Sequence, residues 1–281
     1  MSLGGALAAL ALTLMAPGGI PSQHGVVYAP GDRGKLDVYR PPRAQPGAPI
    51  AVFIYGGTWQ SGNRGFYRFV GATLASQGIV TIIPDYRLYP EVNYPDFLRD
   101  NARAVRWARD HAAELGADPS RLFLVGHSAG AYNAVMLGVD GRWLGEVGMD
   151  PGRDIAGVVG WAGPYDFLPL RDEKLKAIFG PPAGLANTQP ITHASAGGPP
   201  LLLLAGSADK EVDPGNSTRM AAAVTAKGGQ ARAKIYPGIG HVGILGAILE
   251  AFRHRAPTLA DTVDFILGHR AASAAEARAA A

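Results

Sequence analysis

The chain has 281 residues, 47% of them hydrophobic and 17% charged, a composition typical of an ordered globular protein with one catalytic domain. Its 26 basic and 23 acidic side chains are mixed along the sequence and leave a formal net charge of +3, which indicates no nucleic-acid-binding surface. There is no cysteine, which excludes disulfides, thiolate zinc sites, a cysteine nucleophile and a lipid-modified cysteine. The histidines show no HxxxH or HExxH spacing, so a metal-dependent hydrolase is not indicated.

The first 15 residues are uncharged and mostly apolar, and the run breaks at Pro17-Gly18-Gly19. This pattern predicts that residues 1–24 act as an export signal or N-terminal membrane anchor, although a basic start and a clean A-x-A cleavage site are absent. The alternative is an apolar leader that packs on the surface of a cytoplasmic protein. We expect a catalytic domain over residues 25–270, followed by an alanine-rich tail, residues 271–281, that forms a frayed helix or is disordered.

Between these ends, short apolar runs alternate with longer helix-like segments, which predicts an α/β fold with a mostly parallel sheet covered by helices on both faces. The predicted strands, about eight, are Gly25–Tyr28, Leu36–Tyr39, Ile50–Tyr55, Ile79–Ile83, Leu122–Val125, Ile155–Val159, Leu201–Ala205 and Ala233–Tyr236. The predicted helices are Phe66–Gln77, Asp96–Leu115, Ala129–Leu137, Pro214–Lys227 and Thr258–Leu267. Residues 163–200, rich in proline and glycine, interrupt the alternation after the sixth strand. We expect them to form a small cap or insertion over the active site, the alternative being a plain surface connection.

The strongest functional signal is Gly126-His-Ser-Ala-Gly130, which directly follows the apolar run at 121–125 and precedes a helix-like segment. A GxSxG sequence in that context indicates a nucleophile elbow, in which a sharp strand-to-helix turn requires small residues two positions before and after the serine. Ser128 would then lie at a helix N-terminus, where the backbone dipole favours developing negative charge.

A serine hydroxyl needs a nearby base and a carboxylate that orients the base. His241 is the best candidate base because it follows the glycine-rich segment after the last predicted strand; the other histidines, including His127 inside the elbow, are interpreted as solvated or structural. Asp209, just beyond the seventh strand, is the preferred acid, and Asp213 and Glu211 in the same loop remain alternatives.

Acyl transfer also requires hydrogen-bond donors for the oxyanion, and backbone N–H groups suit this role. The N–H of Ala129 is one donor by position. The others should come from residues 56–59, Gly-Gly-Thr-Trp, which follow the third strand and whose paired glycines allow close approach to a substrate.

Several motifs occur together and in a characteristic order: Tyr55-Gly-Gly-Thr-Trp59, Asp85-Tyr-Arg-Leu-Tyr-Pro90, Asp118-Pro119, Gly126-His-Ser-Ala-Gly130, Gly206-Ser-Ala-Asp209 and Gly240-His241. With these motifs the chain resembles the α/β-hydrolases over about residues 25–270, and most nearly the carboxylesterases related to hormone-sensitive lipase. The resemblance implies that Ser128 is the nucleophile, Asp209 the acid and His241 the base, with no metal or organic cofactor. It also implies that Gly57, Thr58 and Ala129 supply the oxyanion-hole donors.

Two positions depart from the HGG(G) loop of this family, since Tyr55 replaces its histidine and Thr58 its third glycine. The GGxW form, with Asp85-Tyr-Arg87 downstream, is also similar to prenylcysteine methylesterases and kynurenine formamidases. We expect a serine carboxylesterase acting on small-molecule esters with short- to medium-length acyl chains. An amidase, formamidase or methylesterase with the same triad, and a non-catalytic binding protein, are the alternatives.

Four aromatic residues lie beside the motif loops or at strand ends and are candidates for the substrate pocket or for the core: Trp59, Tyr132, Trp161 and Tyr165. Asp85 and Arg87 follow a strand and are expected to form a buried ion pair that supports the oxyanion loop.

Overall fold

The structure, a computed structural model, describes residues 15–43, 46–181 and 183–270. Most of the predicted leader and all of the predicted alanine-rich tail, residues 1–14 and 271–281, lie outside the described residues. Among the residues that are described, no helix is both long and apolar enough to cross a membrane.

One eight-stranded sheet forms the centre of the molecule. Its strands are β1 Ser22–Val27, β2 Lys35–Tyr39, β3 Ala48–Ile54, β4 Val80–Pro84, β5 Ala117–His127, β6 Gly157–Trp161, β7 Leu201–Gly206 and β8 Ala231–Tyr236. Their order in the sheet is β1-β2-β4-β3-β5-β6-β7-β8. The first three strands in this order pair antiparallel, β1 with β2 and β2 with β4, and every later pair is parallel. All eight predicted strands are therefore present, with shifted ends.

Burial along each strand follows its place in the sheet. Strands β3, β4, β6 and β7 are buried at every residue, as expected for central parallel strands covered on both faces. The edge strand β8 alternates apolar Ala231, Ala233 and Ile235 with exposed charged residues, so only one of its faces packs on the core. The mostly exposed β1 forms the opposite edge.

Helices cover the sheet in the order α1 Arg68–Ser76, α2 Asp96–Asp110, α3 Ala129–Val139, α4 Gly141–Gly145, α5 Pro151–Asp154, α6 Glu173–Phe179, α7 Gly215–Ala226, α8 His241–Gly246 and α9 Thr258–Gly268. Short 3₁₀ turns are found at Arg64–Tyr67, Leu185–Thr188, Pro190–His193 and Glu250–Arg255.

Two differences from the predicted helices have clear causes. The second predicted helix ends at Asp110 rather than Leu115, because residues 111–116 form turns that reverse the chain and Gly116 takes a left-handed φ of 71°. Helices α4, α5, α6 and α8 were not predicted, since each is seven residues or shorter and too short for a clear 3.6-residue pattern.

The sheet topology brings the functional motifs to one edge. Parallel strands β3, β5, β7 and β8 end at the same edge of the sheet, and their carboxyl ends lead into Gly56, Ser128, Asp209 and His241. Loops that follow parallel strands are where open α/β sheets bind ligands. The fold is thus the predicted α/β-hydrolase arrangement.

Candidate active site

Ser128 occupies a strained turn between β5 and α3. Its backbone angles, φ 56° and ψ −125°, lie in a region that residues with a side chain rarely adopt. The turn closes because Gly126 and Gly130 approach each other: a Cβ on Gly126 would lie 2.2 Å from the Gly130 carbonyl oxygen, and a Cβ on Gly130 would lie 2.0 Å from that of Ile54. The elbow inferred from the sequence therefore has the expected geometry, with backbone strain placed at Ser128.

Hydrogen bonds connect Ser128, His241 and Asp209 in the order that nucleophilic catalysis needs. The His241 Nε2 lies 2.9 Å from the Ser128 Oγ, and its Nδ1 lies 2.8 Å from the Asp209 Oδ2. Because an ionised carboxylate only accepts, Nδ1 carries the proton and Nε2 is free to accept the proton of Ser128. The Asp209 side chain is itself fixed, as its Oδ1 accepts from the N–H groups of Glu211 and Val212.

The two alternative acids have different surroundings. Glu211 is two-thirds exposed, and its Oε2 lies 3.8 Å from the Nε2 of His241, on the side of the ring that faces Ser128. Asp213 pairs with Arg219 at 3.0 Å; the N–H of Gly215 and this pairing lower its pKa. Neither carboxylate contacts the Nδ1 of His241, so the geometry favours Asp209 as the orienting acid.

Backbone N–H groups beside Ser128 form a candidate oxyanion hole. Thr58 and Ala129 line the cavity next to Ser128, and among the described residues neither N–H donates to a protein acceptor. Gly57 lies directly before Thr58 with a φ of 131°, and its carbonyl accepts from the N–H groups of Gln60 and Ser61. A Cβ on Gly57 would lie 2.1 Å from the Ser61 carbonyl oxygen, so this turn requires glycine.

Tyr55, which replaces the family's histidine, ties the base of this loop to a buried carboxylate. Its hydroxyl donates to the Asp85 Oδ1 over 2.9 Å, and its ring stacks on Tyr86 at 4.8 Å between centroids. Asp85 also accepts from the backbone N–H of Arg64 at 2.8 Å and pairs with its guanidinium. Burial and the neighbouring Asp85 charge raise the pKa of Tyr55 well above its ordinary value, so the hydroxyl remains a donor.

The prediction of an ion pair between Asp85 and Arg87 is wrong. Arg87 points to α2 and makes a double hydrogen bond with Asp100, with both distances 2.8 Å, whereas Asp85 turns to Arg64 under the loop. The carboxylate supports the oxyanion loop as expected, but through another partner. The sequence offered no sign of this partner, because Arg64 belongs to a short 3₁₀ turn that only the tertiary fold places beside Asp85.

A cavity of about 800 Å³ opens over Ser128 and His241. Its walls come from the Thr58–Trp59 turn, from part of the predicted insertion and from the segment that follows Asp209. The insertion contributes Pro164, Asp166, Phe167, Leu168, Pro169, Leu170, Arg171, Asp172 and Leu175, and the segment after Asp209 contributes Lys210, Glu211, Val212, Asp213, Asn216 and Arg219. The first part of the predicted insertion, residues 164–175, thus lines the cavity.

Polar contacts hold the insertion against α7. Arg219 donates to the Asp166 Oδ2 at 2.6 Å and to the Asp213 Oδ2 at 3.0 Å. The buried Asn216 Oδ1 accepts from the N–H groups of Tyr165 and Asp166 at 2.8 and 2.7 Å. The start of the insertion is therefore fixed at the cavity wall.

The four aromatic pocket candidates separate into one wall residue and three core residues. Trp59 lines the cavity, and its indole N–H donates to Asn133. Tyr132, Trp161 and Tyr165 are fully buried and are not among the residues that line the cavity. Tyr132 packs edge-on against Trp59 at 5.1 Å and Trp161 donates to Thr262, so their positions beside the motifs serve packing.

His127 was interpreted as solvated or structural, and it is buried. Its Nε2 lies 3.1 Å from the carbonyl oxygen of His241, and the centroids of the two rings are 4.8 Å apart. The sequence signal for this position is a histidine between a buried strand and the candidate nucleophile Ser128.

The chain is similar to proteins named as esterases. The chain is 26% identical to a probable isoprenylcysteine alpha-carbonyl methylesterase of Arabidopsis thaliana, covering 86% of this chain and 55% of that protein. It is 30% identical to the probable carboxylic ester hydrolase LipM of Mycobacterium tuberculosis, covering 65% of this chain and 46% of that protein. The chain thus spans about half the length of these curated relatives.

Among solved structures, esterase 2 of Thermogutta terrifontis superposes with a TM-score of 0.71 at 26% identity, covering 91% of this chain and 97% of that one. The profile of the BD-FAE family matches residues 36–224, which is more than half of the chain and includes the elbow and the proposed acid. On the strength of this match and of the sheet, elbow and cavity described above, the chain belongs to the BD-FAE family of α/β-hydrolases.

Proposed function

We propose that this protein is a serine carboxylesterase that hydrolyses short- to medium-chain esters through an acyl-enzyme. The observation that carries the proposal is the continuous hydrogen-bond path from Ser128 through His241 to Asp209, at the floor of an open cavity. The names of the relatives, an ester hydrolase and a methylesterase, support the same reaction type.

The first half-reaction forms the acyl-enzyme. The His241 Nε2 accepts the Ser128 proton while Oγ attacks the ester carbonyl carbon. The backbone N–H groups of Gly57, Thr58 and Ala129 donate to the developing oxyanion. Asp209 stabilises the imidazolium through Nδ1–H. As the tetrahedral intermediate collapses, the Nε2 proton passes to the alkoxide oxygen, and the alcohol leaves.

The second half-reaction releases the acid. Water takes the place of the alcohol, and the His241 Nε2 removes one of its protons while the oxygen attacks the acyl carbon. Collapse of the second tetrahedral intermediate returns that proton to the Ser128 Oγ and frees the carboxylic acid. Atoms balance with one ester and one water consumed.

The size and covering of the cavity support small substrates. At about 800 Å³ it lies within the range of small-molecule pockets. Apolar side chains of the insertion, Phe167, Leu168, Leu170 and Leu175, supply surface that suits a short acyl chain.

The test is hydrolysis of p-nitrophenyl esters from acetate to palmitate by the wild type, by Ser128→Ala and by the control Ser76→Ala. Ser76 ends α1, and within the described part of the chain its hydroxyl bonds only the Thr73 carbonyl of its own helix turn and the neighbouring Gln77. We expect activity on the short esters, its loss in Ser128→Ala and its retention in the control. A wild type inactive on every ester, or an active Ser128→Ala variant, would contradict the proposal; in that case matched amides, formamides and ligand binding become the alternatives.

A methylesterase is the second candidate, favoured by the methylesterase name of the plant relative. The same triad would cleave a methyl ester, with methanol as the small leaving group. Comparing kcat/KM for methyl and ethyl esters of one N-acyl amino acid separates the two: a strong preference for methyl favours the methylesterase, and equal rates favour a general carboxylesterase.

We infer from the uncharged apolar run at residues 1–15 that the chain is exported or anchored at a membrane. Fractionation of cells that express the full chain tests this. Recovery of the protein in the cytosolic fraction with Met1 intact would contradict it.

A further inference from the structure

The residue before the nucleophile makes a contact that the triad does not explain. His127 is the last residue of β5, next to Ser128, and its side chain is buried. Its Nε2 lies 3.1 Å from the backbone carbonyl oxygen of His241, a residue 114 positions further along the chain. The strand that carries the nucleophile is therefore bonded directly to the backbone of the base.

The chemistry of this contact fixes the tautomer of His127. A carbonyl oxygen can only accept, so the Nε2 of His127 must carry the proton. Its Nδ1 is then a bare acceptor, and among the described residues this buried atom has no hydrogen-bond partner. A buried lone pair without a donor costs stability, so the residue is not explained by its contribution to folding alone.

The His241 backbone needs such an anchor because of the sequence before it. Pro237-Gly-Ile-Gly240 contains two glycines, and Gly238 has a φ of 69°. On the side of the acid loop this segment is fixed by two bonds, from the Ala208 N–H to the Ile239 carbonyl and from the Gly238 N–H to the Ser207 Oγ. On the side of the nucleophile, the bond from His127 fixes the His241 carbonyl.

The surroundings also keep His127 uncharged. Burial, together with the nearby His241, lowers the pKa of His127 to about 3. A cation 4.8 Å from the His241 ring would oppose the imidazolium that forms when Ser128 loses its proton. A neutral donor provides the hydrogen bond without that repulsion.

We propose that His127 is a positioning residue, whose Nε2–H holds the backbone of His241 so that its imidazole stays within hydrogen-bond distance of Ser128. The inference rests on the proposed serine hydrolysis. It concerns a residue that touches no reacting atom, so its effect should fall on kcat rather than on KM.

Two amide variants distinguish the effect of the length of the side chain from the effect of its polarity. The side-chain nitrogen of His127→Gln reaches about as far as the histidine Nε2, whereas that of His127→Asn reaches only as far as Nδ1. With p-nitrophenyl butyrate we expect His127→Gln to keep kcat within about threefold of wild type. We expect His127→Asn and the apolar His127→Leu to lose about tenfold to a hundredfold in kcat, because small displacements of catalytic groups cost rates of this order. KM should stay within about twofold for all three.

A general structural role would instead lower the amount of folded enzyme, so each kcat is expressed per active site, titrated with a phosphonate inhibitor that labels Ser128. Wild-type kcat in His127→Leu, or equal losses in folded His127→Gln and His127→Asn, would overturn the proposal. An inactive wild type would overturn the proposed function itself, and the two failures are thereby distinguished.

A second measurement observes the tautomer of the ring directly and needs only one variant, His127→Gln, to fold. In protein labelled with ¹⁵N-histidine, two-bond ¹H–¹⁵N correlations report the tautomer of each ring. We expect one histidine to stay neutral with its proton on Nε2 from pH 8 to pH 5, and its signal to be missing in His127→Gln. A Nδ1–H tautomer or a protonated ring at this position would overturn the proposal.

Discussion

Replacing His127 by glutamine should remove a specific pH dependence from the stability of the protein. In the folded state, burial and the neighbouring His241 lower the pKa of His127 to about 3. In the unfolded chain the same side chain should titrate at its ordinary value of about 6.5. Between these two values the unfolded chain binds one proton more than the folded protein, so stability is highest above pH 6.5 and falls as the pH is lowered.

The size of the effect follows from the separation of the two pKa values. Each pH unit within this window changes the free energy of unfolding by about 1.4 kcal/mol for one proton. Lowering the pH from 7 to 5 should therefore reduce the free energy of unfolding of the wild type by about 2 kcal/mol through His127. No discount for solvent screening applies, because the side chain is buried.

The assay is urea unfolding of the wild type and of His127→Gln at pH 7, 6, 5.5 and 5. Because the variant retains all other titrating groups, the difference between the two unfolding free energies isolates residue 127. We expect this difference to shift in favour of the variant by about 2 kcal/mol from pH 7 to pH 5. A difference that stays constant over this range would show that His127 takes up a proton in the folded state, and it would refute the burial argument.

Four further substitutions test the site and its support. Asp209→Asn should lower kcat about a thousandfold, because the amide no longer selects the His241 tautomer. Glu211→Gln should keep kcat within about threefold of wild type, since that carboxylate is two-thirds exposed and does not contact Nδ1. The opposite order in steady-state kinetics would identify Glu211 as the acid. Gly130→Ala should destabilise the protein by at least about 2 kcal/mol in thermal unfolding, because its Cβ would lie 2.0 Å from a backbone carbonyl of β3; an unchanged Tm would contradict the close approach. Tyr55→Phe should cost about 1–3 kcal/mol by leaving buried Asp85 one donor short, and a neutral result in chemical unfolding would show that Arg64 alone satisfies this carboxylate.

The sequence alone determined the fold class, the strand order along the chain and the positions of the triad candidates. These features rest on local signals. Buried parallel strands require continuous apolar runs such as Leu201–Ala205, and the elbow requires small residues around Ser128. Such requirements act within a few residues, and for that reason they are visible in the order of the amino acids.

Which of several chemically similar side chains lie within hydrogen-bond distance of a given partner depends on the tertiary structure. Asp209, Glu211 and Asp213 occupy one loop, and the curvature of that loop places Asp209 against the His241 Nδ1. Likewise, Asp85 pairs with Arg64 rather than with Arg87, two residues away in the chain. Side-chain partners depend on where distant segments pack, which no local pattern encodes.

The same distinction applies to His127. Its place beside the nucleophile was evident from the sequence, but its bond to His241 joins residues 114 positions apart. The sequence therefore determined which chemical groups are available at the carboxyl edge of the sheet. The packing of β5 against the loop after β8 decided which of these groups are within hydrogen-bond distance, because a hydrogen bond requires its two atoms to lie within about 3 Å.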